Sequence, residues 1–347
     1  MMERLWQAGA ATRTLNVPAG TAMDGYGSRK QGVTGERSPL EVNVLYLSDG
    51  DCGALLVTLD LLAVDRAWVT GLRRLLQRQL LLRPEAIFVA ASHTHAGPAG
   101  FRRAGAQQRL TADRRRSLRR AILALTLEAA EEAAANMTRA VITIGSRAVA
   151  GVAANRRDPE GPADRTLTAL WVRSCTGQRI AALWHFACHP TVLGAENVRL
   201  SPDLPGIVRR RLRETIGHDC PVLYLNGAAA DVSTRFTRRG AGADELERLG
   251  GLLADACPRG GQFLAPSRLV GELRAVRLPA APRPDPEEAA RRLSQAEAAL
   301  AAARTSGLPP AEVRLKEVEA MGARKRCDRA ARPGPASYLT SMQVLLL

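Results

Sequence analysis

The sequence lacks the patterns that mark several protein classes. Its six cysteines include no CxxC pair, which excludes a zinc ribbon and a disulfide framework and indicates a reducing compartment. No apolar run approaches the roughly 18 residues that a membrane span needs, and the amino-terminal segment lacks the apolar stretch of a secretory signal. These absences predict a soluble, cytoplasmic protein.

Lysine and aromatic residues are also scarce. Lysine occurs only at Lys30, Lys316 and Lys325, so arginine carries the net charge of +15, and aromatic residues make up 4% of the chain. A composition rich in arginine and alanine is typical of a GC-rich coding sequence, and so few aromatics do not build a base-stacking surface. We therefore expect no nucleic-acid partner. An arginine cluster at 114–120 is interpreted as solvated charge. The alternative is a cationic surface that faces an anionic substrate or, in peripheral contact with a membrane, lipid headgroups.

What is present is an α/β pattern over most of the 347 residues. Short apolar runs alternate with segments whose apolar residues recur every three or four positions, which predicts an α/β fold with mixed β-sheets flanked by helices. The expected strands are Val42–Leu47, Ala54–Leu59, Ala86–Ala91, Val141–Ser146, Leu167–Val172, Ile180–Ala187 and Val222–Leu225. The expected helices are Asp65–Leu80, Thr111–Asn136, Asp203–Ile216 and Ala243–Ala256.

After Pro279 the composition shifts to alanine, glutamate and arginine. This segment predicts a carboxyl-terminal helical hairpin, inserted at 283–332, with helices Pro286–Thr305 and Pro310–Arg326. A final apolar strand is expected at 340–347. We interpret the chain as a single catalytic domain, 1–347, with its core at 8–275. The sequence does not indicate an oligomeric state.

Four of the five histidines lie in two short segments at the ends of expected strands. In the first segment, His93 and His95 are two residues apart, so in an extended chain both side chains point the same way. In the second, His189 stands just before Pro190 at the strand end, and His185 lies further back in the strand. Such histidines bind metals, but surface and hydrogen-bonded histidines are also common.

A third segment, Leu223–Arg235, is a strand followed by a loop of small residues that carries Asp231 and Ser233. Small residues let a backbone approach a substrate, and exposed N–H groups there could face a developing oxyanion. The alternative is a tight turn capped by the Asp or Ser side chain. The local pattern leaves both interpretations open.

Taken together, these segments resemble one family, the neutral non-lysosomal ceramidases and their shorter bacterial relatives. The resemblance extends over most of residues 8–275. Its motifs, in chain order, are Gly25–Gly27, Leu55–Leu62 with Asp60, SHTHAGPAG at 92–100, Asn155–Arg157 followed by Asp164, FACHPTVLG at 186–194, Ser201–Asp203 with Gly206, and NGAAADVSTRFTRR at 226–239.

The resemblance implies a set of site residues. A zinc ion would bind His93 and His189, and His95 would act as acid or base beside the scissile amide. Arg156 would hold the substrate oxygen. Ser233 is implied as a nucleophile or an active-site hydrogen-bonding group.

Neighbouring positions in the matching motifs complete the expected site. Asp231 is grouped with Ser233 among the catalytic candidates. Gly97, Asn155 and Asn226 are the expected substrate-binding positions.

Two departures from the family pattern stand out. Ala230 occupies a position where the family usually has glycine, and a methyl group there costs about 1 kcal/mol if that residue has positive φ. Family members complete the zinc site with a glutamate and a tyrosine that follow the strand resembling 341–347, so the chain is expected to be truncated. Asp60, Asp203 or Asp231 are possible substitutes for the absent ligands.

The leading hypothesis is a zinc-dependent hydrolase of linear amide bonds in lipid metabolism, cleaving ceramide, a related N-acyl lipid or a small amide. A catalytically inactive homologue or binding protein is the alternative. A metal-free serine hydrolase that uses Ser233 is a weaker third, since the G-x-S-x-G pattern is absent.

Overall fold

A computed structural model describes residues 6–101, 110–331, 334 and 337–346. The chain divides into two compact units, a larger one within 1–272 and 344–347 and a smaller one within 273–343.

The larger unit is built on a mixed sheet. Eight strands follow one another in the order β11-β9-β8-β6-β1-β3-β4-β5, and β13 pairs with β6. The outermost pairs, β11 with β9 and β4 with β5, are parallel, and the pairs between them are antiparallel. The strands of the described chain are β1 Trp6–Thr14, β2 Gly35–Glu36, β3 Glu41–Ser48, β4 Gly53–Leu59, β5 Ile87–Ala91, β6 Thr138–Ala148, β7 Ala154–Asn155, β8 Thr166–Ser174, β9 Arg179–Phe186, β10 Arg199–Leu200, β11 Val222–Asn226, β12 Val232–Ser233, β13 Gln262–Phe263, β14 Val270–Pro279 and β15 Ser337–Leu346.

Side chains alternate between two apolar clusters because successive residues of a strand face opposite sides of the sheet. In β4, Leu55 and Val57 join the cluster that also contains the buried faces of four helices, whereas Ala54 and Leu56 join the second cluster. The sheet curls so that its edge strands β5 and β11 contact each other. This curling brings together strand ends that are far apart in the strand order.

Several helices of the described chain begin at a side-chain cap. Asp65 accepts a hydrogen bond from the Trp68 N–H at the start of α1, and Asp285 accepts one from the Glu288 N–H at the start of α5. The helices are α1 Arg66–Leu80, α2 Ala112–Ala135, α3 Leu204–Ile216, α4 Ala243–Ala256, α5 Pro286–Thr305 and α6 Pro310–Ala331, with a 3₁₀ turn at Pro84–Ala86.

The smaller unit contains α5 and α6, which pack against each other as a helical hairpin. Arg304 pairs with Glu317 across the hairpin at 3.1 Å. Most of the two-stranded sheet of β14 and β15 belongs to this unit as well.

The structure confirms the expected fold class, a mixed α/β architecture with a helical hairpin. It adds β1, which the sequence pattern missed, and extends α6 five residues beyond the predicted end at Arg326. The final strand begins at Ser337 rather than at 340, and residue 347 lies outside the described residues. The interpretation as one catalytic domain stays a prediction.

Among the described residues, no helix has both the length and the hydrophobicity that a bilayer span requires.

Candidate metal centre

The loop after β5 holds His93 in an uncommon backbone conformation, with φ of 66°. The His93 N–H donates to the Leu61 carbonyl oxygen at 3.0 Å, and its ring Nδ1 lies 2.8 Å from the Leu62 carbonyl oxygen. Because a carbonyl only accepts, Nδ1 carries the ring proton, and the lone pair of the ring is on Nε2. Leu61 and Leu62, which follow Asp60 at the end of β4, therefore fix both the backbone and the tautomer of His93.

The loop after β9 holds His189 in the same way. Its Nδ1 donates to the Ala229 carbonyl oxygen at 2.6 Å, and its backbone N–H donates to the Val232 carbonyl oxygen at 2.9 Å. The loop of small residues after β11 thus orients His189, which again leaves Nε2 as a free lone pair.

These two lone pairs face each other. The Nε2 atoms of His93 and His189 are 3.2 Å apart. Neither atom carries a proton to share, so this arrangement is repulsive unless a cation lies between them. A tetrahedral zinc with Zn–N distances of about 2.0 Å separates two nitrogens by about 3.3 Å, so the pair fits such an ion.

His95 completes a three-histidine cluster. Its ring centroid is 5.1 Å from that of His93 and 5.7 Å from that of His189, and one ligand nitrogen from each residue lies within 4.8 Å of the others. Both ring nitrogens of His95 are buried without a hydrogen-bond partner among the described residues. A buried polar atom without a partner is costly, which favours a ligand at this position.

Burial and nearby positive charge keep the imidazoles of His95 and His189 neutral. Burial, followed by repulsion from His93, His189, Arg29 and Arg156, lowers the pKa of His95 to about 3. Burial is also the main cause that lowers the pKa of His189 to about 4, against a hydrogen bond from its ring to Ala229. Neutral imidazole is the form that binds a metal.

A buried ion-pair network anchors the end of β4 next to the cluster. The Arg209 guanidinium contacts Asp60 at 2.6 Å and Glu41 at 3.1 Å, and the Glu41 N–H donates to the Asp60 carboxylate at 2.9 Å. Burial raises the pKa of Asp60 despite its ion pair with Arg209. The Asp60 carboxylate is therefore paired with Arg209, and it does not belong to the group of candidate metal ligands found among the described residues.

Asp203 has a similar supporting role. It has φ of 62° and accepts hydrogen bonds from the N–H groups of Val192, Leu193 and Leu204. Burial raises its pKa to about 6. Asp203 joins the loop after His189 to the start of α3, and neither it nor Asp231 belongs to the three-histidine group found among the described residues.

Residues 155–156 meet the loop that carries Asp231. The Arg156 N–H donates to the Asp231 carbonyl oxygen at 2.6 Å, and Arg156 is a positive charge that acts on both His95 and His189. Asn155 is buried and holds the turn around it, because its Oδ1 accepts from the Arg157 N–H at 3.0 Å. The Asp231 side chain is exposed.

Ser233 forms an isolated parallel β-bridge with His189. The Ser233 side chain is buried, and its Oγ accepts from the Arg235 N–H at 3.3 Å. Among the described residues, no histidine nitrogen hydrogen-bonds to this hydroxyl. Ala230 has a negative φ, so its methyl group introduces no backbone strain there.

Asn226 and Gly97 also lie in this region. Asn226 bridges the two histidine segments, accepting from the Cys188 N–H and donating to the Ser92 carbonyl oxygen, each at 3.4 Å. Gly97 is buried, and a Cβ there would be 3.2 Å from the Asp60 carbonyl oxygen. Both positions are seen here holding loops together, and their expected contacts with substrate stay predictions.

The structure thus brings His93, His95 and His189 together, with residues 155–156 and 231–233 beside them. Sequence reasoning missed Tyr26 and Arg29, which pack behind His95. The Gly25–Gly27 motif pointed to this region of the sequence, but it did not indicate a role for Tyr26 or Arg29.

Fold and site define a mixed α/β protein with a candidate metal centre in the loops beyond its strand ends. Two solved structures share the fold, the neutral ceramidase from Pseudomonas aeruginosa and a ceramidase described as complexed with C2. The first has a TM-score of 0.64 and 17% identity and covers 82% of this chain and 49% of its own. The second has a TM-score of 0.65 and 17% identity, with 82% and 48% covered.

No curated protein matches the chain. The sequence profile of neutral/alkaline non-lysosomal ceramidases, N-terminal, matches residues 14–220, which is more than half of the chain. The chain belongs to this ceramidase family, which confirms the resemblance. It spans about half the length of the solved structures that it matches.

Proposed function

We propose that the chain is a metal-dependent hydrolase that cleaves the amide bond of an N-acyl lipid, with ceramide as the first candidate. The observation that carries the proposal is the 3.2 Å separation between the Nε2 atoms of His93 and His189, whose Nδ1 atoms each face a carbonyl oxygen. Family membership supports the hydrolase class. Zinc is the proposed ion, because imidazole ligands at this spacing suit it.

The three histidines would hold the ion through one nitrogen each. A bound zinc ion would polarise the amide carbonyl and lower the pKa of water to about 7. His95 has a ligand role in this proposal, in place of the acid or base role that the resemblance implies. Replacing His95 separates the two, because losing a ligand weakens metal binding, whereas losing an acid or base removes one limb of the pH–rate profile.

The chain's other residues position the substrate and move the proton. Arg156 is the proposed donor to the amide oxygen, since its charge already acts on the cluster. Asp231, exposed on the loop that holds His189, is the proposed proton acceptor. Ser233 lies beside His189 as a proposed hydrogen-bonding group for substrate.

The proposal extends to substrate class and location. An N-acyl lipid presents a linear amide beside a long apolar chain, so peripheral contact with a membrane would bring substrate and enzyme together. Arg114 and Arg120 at the start of α2 are exposed and suit anionic headgroups. A cytoplasmic location and the absence of a nucleic-acid partner stay predictions.

The experiment is a zinc titration of the full chain by calorimetry, together with turnover of a fluorescent N-acyl sphingosine. Wild type is expected to bind one equivalent of zinc and to show turnover that a chelator abolishes. His189→Ala is expected to lose both. His218→Ala is the matched control, because His218 is exposed and outside the cluster, and it is expected to behave as wild type.

Other outcomes would favour the alternatives. Zinc binding without turnover of any N-acyl lipid or small amide would favour the binding-protein hypothesis. Turnover that resists the chelator and disappears in Ser233→Ala would favour serine hydrolysis.

A further inference from the structure

A buried arginine lies directly behind the three-histidine cluster. Arg29 is 3% exposed, and its guanidinium donates to four backbone carbonyl oxygens. The Nη1 group donates to the backbone carbonyl oxygen of Asp24 at 3.0 Å and to that of His95 at 2.9 Å. The Nε group donates to Ala195 at 3.2 Å, and Nη2 donates to Gly194 at 3.3 Å.

These four carbonyls belong to three separate segments. One is the loop of residue 24, the second is the loop of His95, and the third follows His189 at 194–195. Among the described residues, no carboxylate lies within ion-pair distance of Arg29. The guanidinium is thus used as a multiple donor that ties three loops together.

Tyr26 extends the same contact to the His95 ring. The Arg29 guanidinium carbon lies 5.0 Å from the centre of the Tyr26 ring, and that ring packs edge-on against His95 at 5.0 Å. The Tyr26 hydroxyl donates to the Leu193 carbonyl oxygen at 2.8 Å. Arg29 and Tyr26 therefore form one packed group behind His95.

The position of His95 depends on this group more than on its own polar atoms. Neither of its ring nitrogens has a hydrogen-bond partner among the described residues, whereas His93 and His189 are each oriented by a carbonyl through Nδ1. The polar contact to His95 from behind the cluster is the hydrogen bond from Arg29 to its backbone carbonyl oxygen.

We infer that Arg29 is a positioning residue that sets His95 in the metal cluster by holding its main chain and, through Tyr26, its ring. The expected effect on metal affinity rests on the proposed function, whereas the positioning of His95 by Arg29 does not. Lysine cannot replace arginine in this role. Its ammonium has three donors on one atom, whereas the planar guanidinium spreads five donors over three nitrogens.

The variant to test is Arg29→Lys, with Arg213→Lys as matched control. Arg213 also donates to a backbone carbonyl, that of Cys220 at 2.9 Å, and it pairs with Glu41 near the carboxyl end of α3. Both variants lose a multiply bonded guanidinium and keep the charge. A purely structural role would therefore affect the two variants alike.

Two readouts are measured on the full chain. The first is the nuclear Overhauser effect between the Tyr26 and His95 rings in the metal-free protein. The second is zinc affinity by calorimetry. Arg29→Lys is expected to weaken the ring-to-ring effect and to lower zinc affinity about 10-fold or more, the usual effect of removing a group that orients a ligand. Arg213→Lys is expected to leave both unchanged.

An unchanged ring contact in Arg29→Lys, or equal losses in both variants, would overturn the inference. If the wild-type chain binds no zinc, the proposed function is overturned. The contact between the Tyr26 and His95 rings still tests whether Arg29 positions His95. If Arg29→Lys does not fold, Arg29→Gln, which retains two side-chain N–H donors on one nitrogen, takes its place under the same criteria.

Discussion

Gly25 lies against the His95 side chain. It has φ of 103°, and a Cβ built on it would be 2.6 Å from His95 Cγ. Gly25→Ala thus combines two costs. Positive φ costs a non-glycine residue about 1–2 kcal/mol, and forcing a methyl group into a packed site costs about 1–3 kcal/mol. We expect the free energy of unfolding to fall by about 2–5 kcal/mol.

Gly20→Ala provides the matched control for this prediction. Gly20 has φ of 76°, and a Cβ there would meet no atom within 4 Å, so its substitution carries the backbone cost without the clash. The free energy of unfolding, measured by urea denaturation, is expected to fall by about 1–2 kcal/mol. The excess loss in Gly25→Ala, about 1–3 kcal/mol, then measures the contact with His95.

Zinc titration of the same two variants links the contact to the metal centre. A displaced His95 ring should weaken zinc binding in Gly25→Ala, whereas Gly20→Ala should bind zinc as wild type does. Equal stabilities and equal zinc affinities for the two variants would refute the reasoning, because they would show that the packing behind His95 does not set its position.

Three further predictions follow from the buried charges. The metal-free chain should lose stability as the pH falls from about 6.5 to 4. Burial is the main cause that lowers the pKa of His95 to about 3 and that of His189 to about 4, so the folded chain stays unprotonated there while the unfolded chain takes up protons. Two histidines contribute at most about 2.8 kcal/mol per pH unit. Asp203, whose pKa burial raises to about 6, offsets about 1.4 of this below pH 6, and Asp60, whose pKa burial also raises, offsets a further part. Urea unfolding that is unchanged between about pH 6.5 and 4.5 would contradict the prediction. Asp203→Ala removes the acceptor of three buried N–H groups and should cost about 3 kcal/mol in urea unfolding, and a loss below 1 kcal/mol would show that water replaces the carboxylate. Arg209→Ala leaves the buried Asp60 carboxylate without its cation, while Glu41 keeps its ion pair with Arg213, and should cost about 3–5 kcal/mol. A stability within about 1 kcal/mol of wild type would indicate that the network is solvated.

The helices were predictable because their signals are local. Apolar spacing and caps such as Asp285 set α4 and α5 at their observed bounds, Ala243–Ala256 and Pro286–Thr305. Strand β1, WQAGAATRT, was missed because alanine and glycine dominate it and its partners β3 and β6 supply the ordering through backbone pairing. Pairing between distant segments leaves little trace in a short window of sequence.

The site was predictable in part for the same reason. Family motifs pointed to His93 and His189, but the facing of their Nε2 atoms depends on the curling of the sheet that brings β5 to β11. Arg29 left no signal because its partners are backbone carbonyls, which every residue carries. A side chain that binds main chain is therefore found only once the loops are in place.

We propose that three imidazoles of this chain hold a metal ion. X-ray absorption fine structure of the full chain loaded with one equivalent of zinc tests this directly. We expect scattering from three imidazole nitrogens at about 2.0 Å, reduced to two in His95→Ala. Zinc that shows no imidazole scattering, or a signal unchanged by His95→Ala and His189→Ala, would contradict it.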